Sequence, residues 1–454
     1  AEAASLSGKD GDYRIFRKTY NPATSWNAGF PYVDLMVEGV TGKFIELTMD
    51  AYERELGPGM EHIKGVFSDE PQIDSPGGVR WTPDLFSSFE RKWGYRLQEH
   101  LPCLFAEEGD WRKVRHDYQS VLLDLFTDRW ARPMYSWCEE RGKVWTGHYW
   151  EHNWPAIGSG PDNMAMYAWH QMPGVDMLFN QFNEGHPQAQ FGNVRAIKEL
   201  RSVANQTGRE RTLSETYGGA GWDVTFEDMK RLGDWEYVLG VNFMNQHLVK
   251  MHLGGSRKYD YPPVFSKPNP WWHWYRTQND YFARLSWALS KGVQRNSILV
   301  LEPTTSLWCS FSVIGSSQDL WGIAGGFQEL VTRLEKDQVE YDLGCERIMQ
   351  DNARVDGSRL DVGECSYTAV VIPPEMTNLE SSTFSLLKEF ARGGGRIIAL
   401  SSPYMLDGRE DASLKEFFAD GGVIRCQGYS DLEDYLDDAA RMEFSDAEGA
   451  APYH

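Results

Sequence analysis

A chain of 454 residues is too long for one compact core and points to two or three domains, or to one large barrel with a smaller partner. Hydrophobic residues make up 41% and charged residues 24% of it, an ordinary globular composition, and no apolar run approaches the ~20 residues of a membrane span. With 45 basic against 66 acidic residues the formal net charge is -21, which argues against a nucleic-acid partner, because phosphate-backbone binding rests largely on a basic footprint.

Up to about residue 295, short apolar runs alternate with longer amphipathic stretches, the pattern of β/α units around a parallel sheet. Strands are predicted at Tyr32–Met36, Ile63–Ser68, Val144–His148, Val175–Phe179, Arg211–Ser214 and Val241–Asn245. Helices are predicted between and after them, at Lys43–Leu56, Asp84–Lys92, Val114–Arg141, Ala189–Asn205, Thr225–Leu239 and Asn279–Lys291. A (β/α)8 barrel needs eight strands, so the opening strands are expected to precede this sequence or to be irregular.

The texture changes near residue 297. Strands are predicted at Ser297–Leu301, Val339–Leu343, Ala369–Ile372 and Arg396–Leu400, with helices at Gly326–Lys336 and Ser382–Arg392. The expected architecture is therefore α/β: a TIM-type barrel domain over 1–296, incomplete at its front, and a small doubly wound domain over 297–428. An acidic helix and linker are expected over 429–454. Gly393-Gly394-Gly395 follows a helix and precedes a strand, the reverse of a phosphate loop's order, and reads as a helix stop.

The chain holds 18 Trp, 21 Tyr and 22 Phe. Trp beside carboxylates, amides and His suits carbohydrate, since sugars offer flat C–H faces to aromatic rings and hydroxyls to polar groups; Trp also fills cores. The six Cys are scattered, without metal or disulfide spacing.

Barrel enzymes place their chemistry where strands end. Asp69-Glu70-Pro71 follows the second predicted strand. His148-Tyr149-Trp150-Glu151-His152-Asn153-Trp154 follows the third, and its His spacing also permits a metal. Asn180 and His186 lie beyond the fourth, and Glu215-Thr216-Tyr217 beyond the fifth with Trp222 close by. Asn242 and His247 belong to the last strand and its exit. Two carboxylates on separate strands of one rim are what glycoside hydrolysis requires, one protonated to serve the leaving oxygen and one ionised to attack or to activate water. Glu70, Glu215 and Glu151 are the catalytic candidates. Asp69, His148, Trp150, Trp154, Asn180, His186, Tyr217, Trp222, Asn242 and His247 are the candidates for binding sugar.

The strings Gly65-Val66-Phe67-Ser68-Asp69-Glu70-Pro71, Met172-Pro173-Gly174-Val175-Asp176, Ser214-Glu215-Thr216-Tyr217-Gly218, Tyr237-Val238-Leu239-Gly240-Val241-Asn242 and Leu299-Val300-Leu301-Glu302-Pro303-Thr304 resemble bacterial glycoside hydrolases of family 106, the α-L-rhamnosidases. The resemblance implies a (β/α)8 barrel followed by a flavodoxin-like domain. It also implies a polysaccharide or glycoconjugate substrate and hydrolysis with inversion. Glu70 would end the fourth barrel strand and Glu215 the seventh, with strands ahead of the sequence given. The residues themselves demand no cofactor; calcium enters through the resemblance alone. The alternatives are a retaining β-galactosidase-like enzyme and a carbohydrate-binding protein or inactive fragment. Secreted, periplasmic and cytoplasmic locations are all open, as is the oligomeric state.

Overall fold

The computed structural model describes residues 14–73, 78–315, 317–419 and 422–436. Five parallel strands, β1 (Gly65–Asp69), β2 (Val144–His148), β3 (Met172–Met177), β4 (Leu213–Thr216) and β5 (Phe243–Gln246), pair in chain order to form a half-barrel. Each adjacent pair is joined through helices on the outer face. Helix Val194–Gln206 starts on an Asn193 cap, and helix Phe226–Leu239 on a Thr225–Asp228 capping box. The segment predicted as one helix over Val114–Arg141 is Trp111–Phe126, a π turn Thr127–Ala131, and Arg132–Glu140. Pro133 has no N–H to return to the preceding turn, which accounts for the wider winding just before it.

Tyr32–Met36 is not a strand. Asp34 folds the segment into a turn by accepting from the Met36 N–H at 2.9 Å, so Leu35 and Met36 are buried without pairing to a sheet. The first sheet accordingly has five of the six predicted strands. Close strand packing at its centre needs glycine: Gly147 has φ 128, and a Cβ there would lie 2.0 Å from the Ser68 carbonyl oxygen.

A second parallel sheet contains β6 (Ile298–Leu301), β7 (Asp342–Gly344), β8 (Ala369–Ile372), β9 (Arg396–Ala399) and β10 (Val423–Arg425) in the order β10-β9-β8-β6-β7. Read from the β7 edge this is the 2-1-3-4-5 order of a doubly wound sheet. β10 was not among the predicted strands, nor was the antiparallel ribbon Ala353–Asp356, Arg359–Val362 and Cys365–Tyr367. Most of the expected acidic helix and linker lies outside the described residues.

One apolar cluster runs through both sheets. Helix Val194–Gln206 also joins them by hydrogen bonds: Ser202 accepts from the Leu343 N–H, Gln206 donates to the Leu343 carbonyl, and Asn205 donates to Asp342, each at 2.8 Å. All six cysteines are free, and all but Cys365 are buried. Among the described residues no helix is long and apolar enough to cross a membrane.

Candidate active site

Strand register gathers the polar groups. Asp69 of β1 pairs with His148 of β2, and Glu215 of β4 stands between Asp176 of β3 and Asn245 of β5. Side chains on a strand alternate between faces, so these register partners share one face near the carboxyl ends. Just beyond those ends the backbone turns through left-handed conformations at Glu70 (φ 49), Phe179 (φ 65) and Tyr217 (φ 74). Non-glycine residues in that region are strained, and such strain is concentrated at functional sites.

His148 is the hub. Its Nε2 lies 2.9 Å from Glu215 Oε2 and 3.6 Å from Asp69 Oδ1, and its ring packs edge-on against Phe67. Asp69, Glu70 and His148 each offer an atom within 4.8 Å of the others, as do Glu70, His152 and Asp176. Glu70 and Glu215 therefore converge on one imidazole. On the far side of Glu215, His247 Nε2 lies 3.9 Å from Oε1. His152 bonds Asp176 Oδ2 at 3.1 Å.

These contacts divide the protonation states. Burial pushes the Glu70 carboxyl up to about 7, against the lowering effect of the His148 and His152 charges, with Glu151 and Asp69 adding to the rise. Burial alone would lower the His148 imidazole. The Glu215 hydrogen bond and the charges of Glu151 and Asp176 overcome that and hold it well above its ordinary value. His152 is raised in the same way, burial being outweighed by its bond to Asp176.

Several predicted residues occupy other places. Glu151 is fully buried beneath the mouth, where Oε1 accepts from the Asp176 N–H at 2.7 Å and Oε2 from Tyr167 at 3.3 Å. Its carboxylate underpins His148 and Asp176 rather than lining the cleft. Tyr217 is also fully buried and donates to the Met229 carbonyl under helix Phe226–Leu239, so it offers no stacking face. Trp154 is turned inward, with the Arg195 guanidinium 4.2 Å from its ring centre and Phe327 beyond. Asn242 precedes β5 and so lies at the opposite end of the sheet from the mouth. There it accepts from the Thr212 N–H and donates to the Glu210 carbonyl. The His186 carbonyl accepts from Gln328 of helix Gln318–Lys336, which draws its loop towards the second sheet.

Trp150 stays partly exposed, with its indole N–H on the Glu70 carbonyl at 3.2 Å, and Trp222 is exposed with its N–H on the Lys258 carbonyl. Asp176 was not predicted, and His152 was named only for the metal that its spacing to His148 permits. Asp176 interrupts an apolar run, but with the strand placed at Val175–Phe179 it fell at the wrong end; β3 begins at Met172, which carries Asp176 to the mouth. Asp176 Oδ1, His152 Nδ1, His247 Nδ1 and Asn180 Oδ1 are buried without a hydrogen-bond partner among the described residues. Such atoms are normally satisfied by a ligand or water.

The structure is similar to a rhamnosidase from Novosphingobium sp. PP1Y, with TM-score 0.66 at 18% identity over 90% of this chain and 40% of that one. It is also similar to β-galactosidases from Rahnella sp. R3 (TM-score 0.53, 11% identity, 80% of this chain and 54% of that) and Bacillus circulans sp. alkalophilus (TM-score 0.54, 11% identity, 86% and 59%). At such identities the likeness is one of fold, and the chain spans less than two thirds of the length of these proteins. No curated protein matches by sequence. The alpha-L-rhamnosidase profile of glycoside hydrolase family 106, however, matches residues 12–415, and the chain belongs to that family.

Proposed function

We propose that the site hydrolyses a terminal α-L-rhamnoside of a polysaccharide or glycoconjugate, with inversion. Glu70 is the general acid, because a carboxyl titrating at about 7 still holds a proton to give the glycosidic oxygen at neutral pH. Glu215 is the base that takes a proton from water on the opposite face of the sugar. His148 fixes the Glu215 carboxylate in place, and Glu151 acts from below by supporting His148 and Asp176. Asp69, Asp176, Asn180, His152 and His247 receive hydroxyls, and Trp150 and Trp222 supply faces for the ring. The convergence of Glu70 and Glu215 on His148 is the observation that carries this reading.

Calcium takes six to eight oxygen ligands. The two carboxylate groups at the mouth each include an imidazole and share Glu70, which is needed as the acid. They do not fit calcium.

We also read the second sheet as a flavodoxin-like domain over 297–428, supported by its strand order, and the half-barrel over 1–296 as part of a (β/α)8 barrel. The latter is supported by the edges of β1 and β5, which are unpaired among the described residues and which further β/α units would join.

The test is a panel of 4-nitrophenyl glycosides of rhamnose, galactose and arabinose, with the product anomer followed by NMR. The α-L-rhamnoside should be cleaved with inversion; Glu215→Gln should lose turnover on it, and Glu70→Gln should lose turnover on alkyl rhamnosides, whose leaving oxygen needs the proton, while both variants keep sugar binding. Galactoside cleavage with retention would move the assignment to a β-galactosidase-like enzyme, and binding without turnover to a carbohydrate-binding protein.

A further inference from the structure

The stretch Trp271-Trp272-His273-Trp274-Tyr275 plays no part in the catalytic reading. It leads into helix Tyr275–Leu289, and three of its four aromatic rings pack inward: Trp271 against Phe226, Phe265 and Tyr275, and Trp272 stacked on Tyr275. Trp274 does not. It is 71% exposed and forms one wall of a cleft of about 430 Å³ between this helix and Phe226–Leu239, whose other walls include Phe226, Lys230, Gln278, Tyr281 and Arg284.

The cleft has a polar floor. Gln278 is only 7% exposed; its Nε2 donates to the Tyr217 hydroxyl at 3.3 Å, but its Oε1 is buried with no partner among the described residues. A buried amide oxygen left unpaired is costly, and a donor from a bound molecule would satisfy it. The walls are fixed in advance, because Asp234 holds both Lys230, by an ion pair, and the Tyr281 hydroxyl, at 2.8 Å. Arg284 is exposed and makes no ion pair among the described residues.

We propose that this cleft is an accessory carbohydrate site, which holds a part of the polymer distant from the bond being cut. An exposed indole face beside a buried amide acceptor and an uncommitted guanidinium matches a sugar ring, which presents a C–H face, hydroxyl donors and, in a uronate, a carboxylate. A lipid or an apolar helix would cover the indole and leave Gln278 and Arg284 unpaired. The ligand class rests on the proposed function. The site is also joined to the catalytic strand, since Tyr217, which Gln278 holds, follows Glu215 by two residues at the end of β4.

The experiment is affinity gel electrophoresis of the chain in rhamnogalacturonan, a polymer of rhamnose and galacturonate, alongside hydrolysis of 4-nitrophenyl α-L-rhamnoside. The unmodified chain should be retarded. Trp274→Ala should weaken binding roughly tenfold, the loss of one aromatic contact with its buried area. Arg284→Ala should weaken it further in combination. Both variants should keep the unmodified melting temperature and aryl-glycoside turnover, and Glu70→Gln should be retarded like the unmodified chain. Equal retardation of Trp274→Ala and the unmodified chain, or no retardation of either, overturns the site. Trp274-dependent retardation in a chain without aryl-rhamnosidase activity keeps the site and removes the hydrolase reading.

Discussion

His148 Nε2 lies 2.9 Å from Glu215 Oε2, and the same imidazole stands within reach of Glu70. A hydrogen bond to a charged group contributes about 1.5–3 kcal/mol, so His148→Gln should lower kcat/KM by roughly 10- to 100-fold through misplacement of Glu215. The His148 charge also holds the Glu70 carboxyl down. Removing it should move the alkaline limb of the rate profile to higher pH. A His148→Gln enzyme with an unmoved limb would disconnect the imidazole from Glu70.

Glu70 sets that limb. Its carboxyl is pushed up to about 7 by burial, so the proton needed by the leaving oxygen is present below that pH and lost above it. kcat/KM should therefore fall as pH rises through about 7. Substrates with a nitrophenolate leaving group, which need little protonation, should show a shallower fall than alkyl rhamnosides. Parallel profiles for the two substrate types would take Glu70 out of the acid's role.

Much of this site was legible because its residues stand where apolar strands stop. Glu70, His148 and Glu215 each stand at or just past the end of a predicted strand, and chain polarity then puts all three at one mouth. Register was not legible. Asp176 and Asn242 were displaced by errors of two or three residues in the strand limits, enough to exchange one end of a sheet for the other. Depth was not legible either: Glu151, Trp154 and Tyr217 lie in the right segments, but their side chains turn inward. The second sheet was read well where strands are unbroken aliphatic runs, as at Ala369–Ile372, and missed at Val423–Arg425, which is too short to carry a pattern.

Asn242 makes a test of that correction. Its amide ties Thr212 and Glu210 at the end of the sheet remote from the mouth, with a longer bond to the Leu289 carbonyl at 3.4 Å. Asn242→Ala should cost about 1–3 kcal/mol of stability by leaving buried backbone groups unpaired, with kcat/KM of the folded enzyme unchanged. Weaker sugar binding in Asn242→Ala would return the residue to the site.

Glu236 controls stability rather than chemistry. It is fully buried under β4, where it accepts from Ser214 at 2.6 Å and Thr216 at 3.2 Å, and burial pushes its carboxyl up to about 8. The folded chain thus keeps a proton that the unfolded chain releases near 4.5. This contribution is complete below that pH and is lost as pH rises towards 8, at about 1.4 kcal/mol per pH unit. Glu236→Gln keeps the acceptor without the titration. Its urea midpoint should fall less between pH 5 and pH 9 than that of the unmodified chain, and identical slopes would refute the assignment.

Arg195 connects the two loops that flank the site. It is fully buried, pairs with Glu199, donates to the Pro187 carbonyl at 3.3 Å and more weakly to that of Glu151 at 3.5 Å, and covers Trp154. Arg195→Met should cost about 3–5 kcal/mol, because Glu199 is left buried without its counter-charge. Lowered activity in that variant could reflect lost stability alone. The double variant Arg195→Met/Glu199→Leu separates the two effects, since replacing both partners by apolar groups restores much of the stability but not the hydrogen bonds to the loops. It should regain most of the melting temperature and still show a raised KM. Recovery of both would make the pair a packing element and leave the loops to be positioned by other contacts.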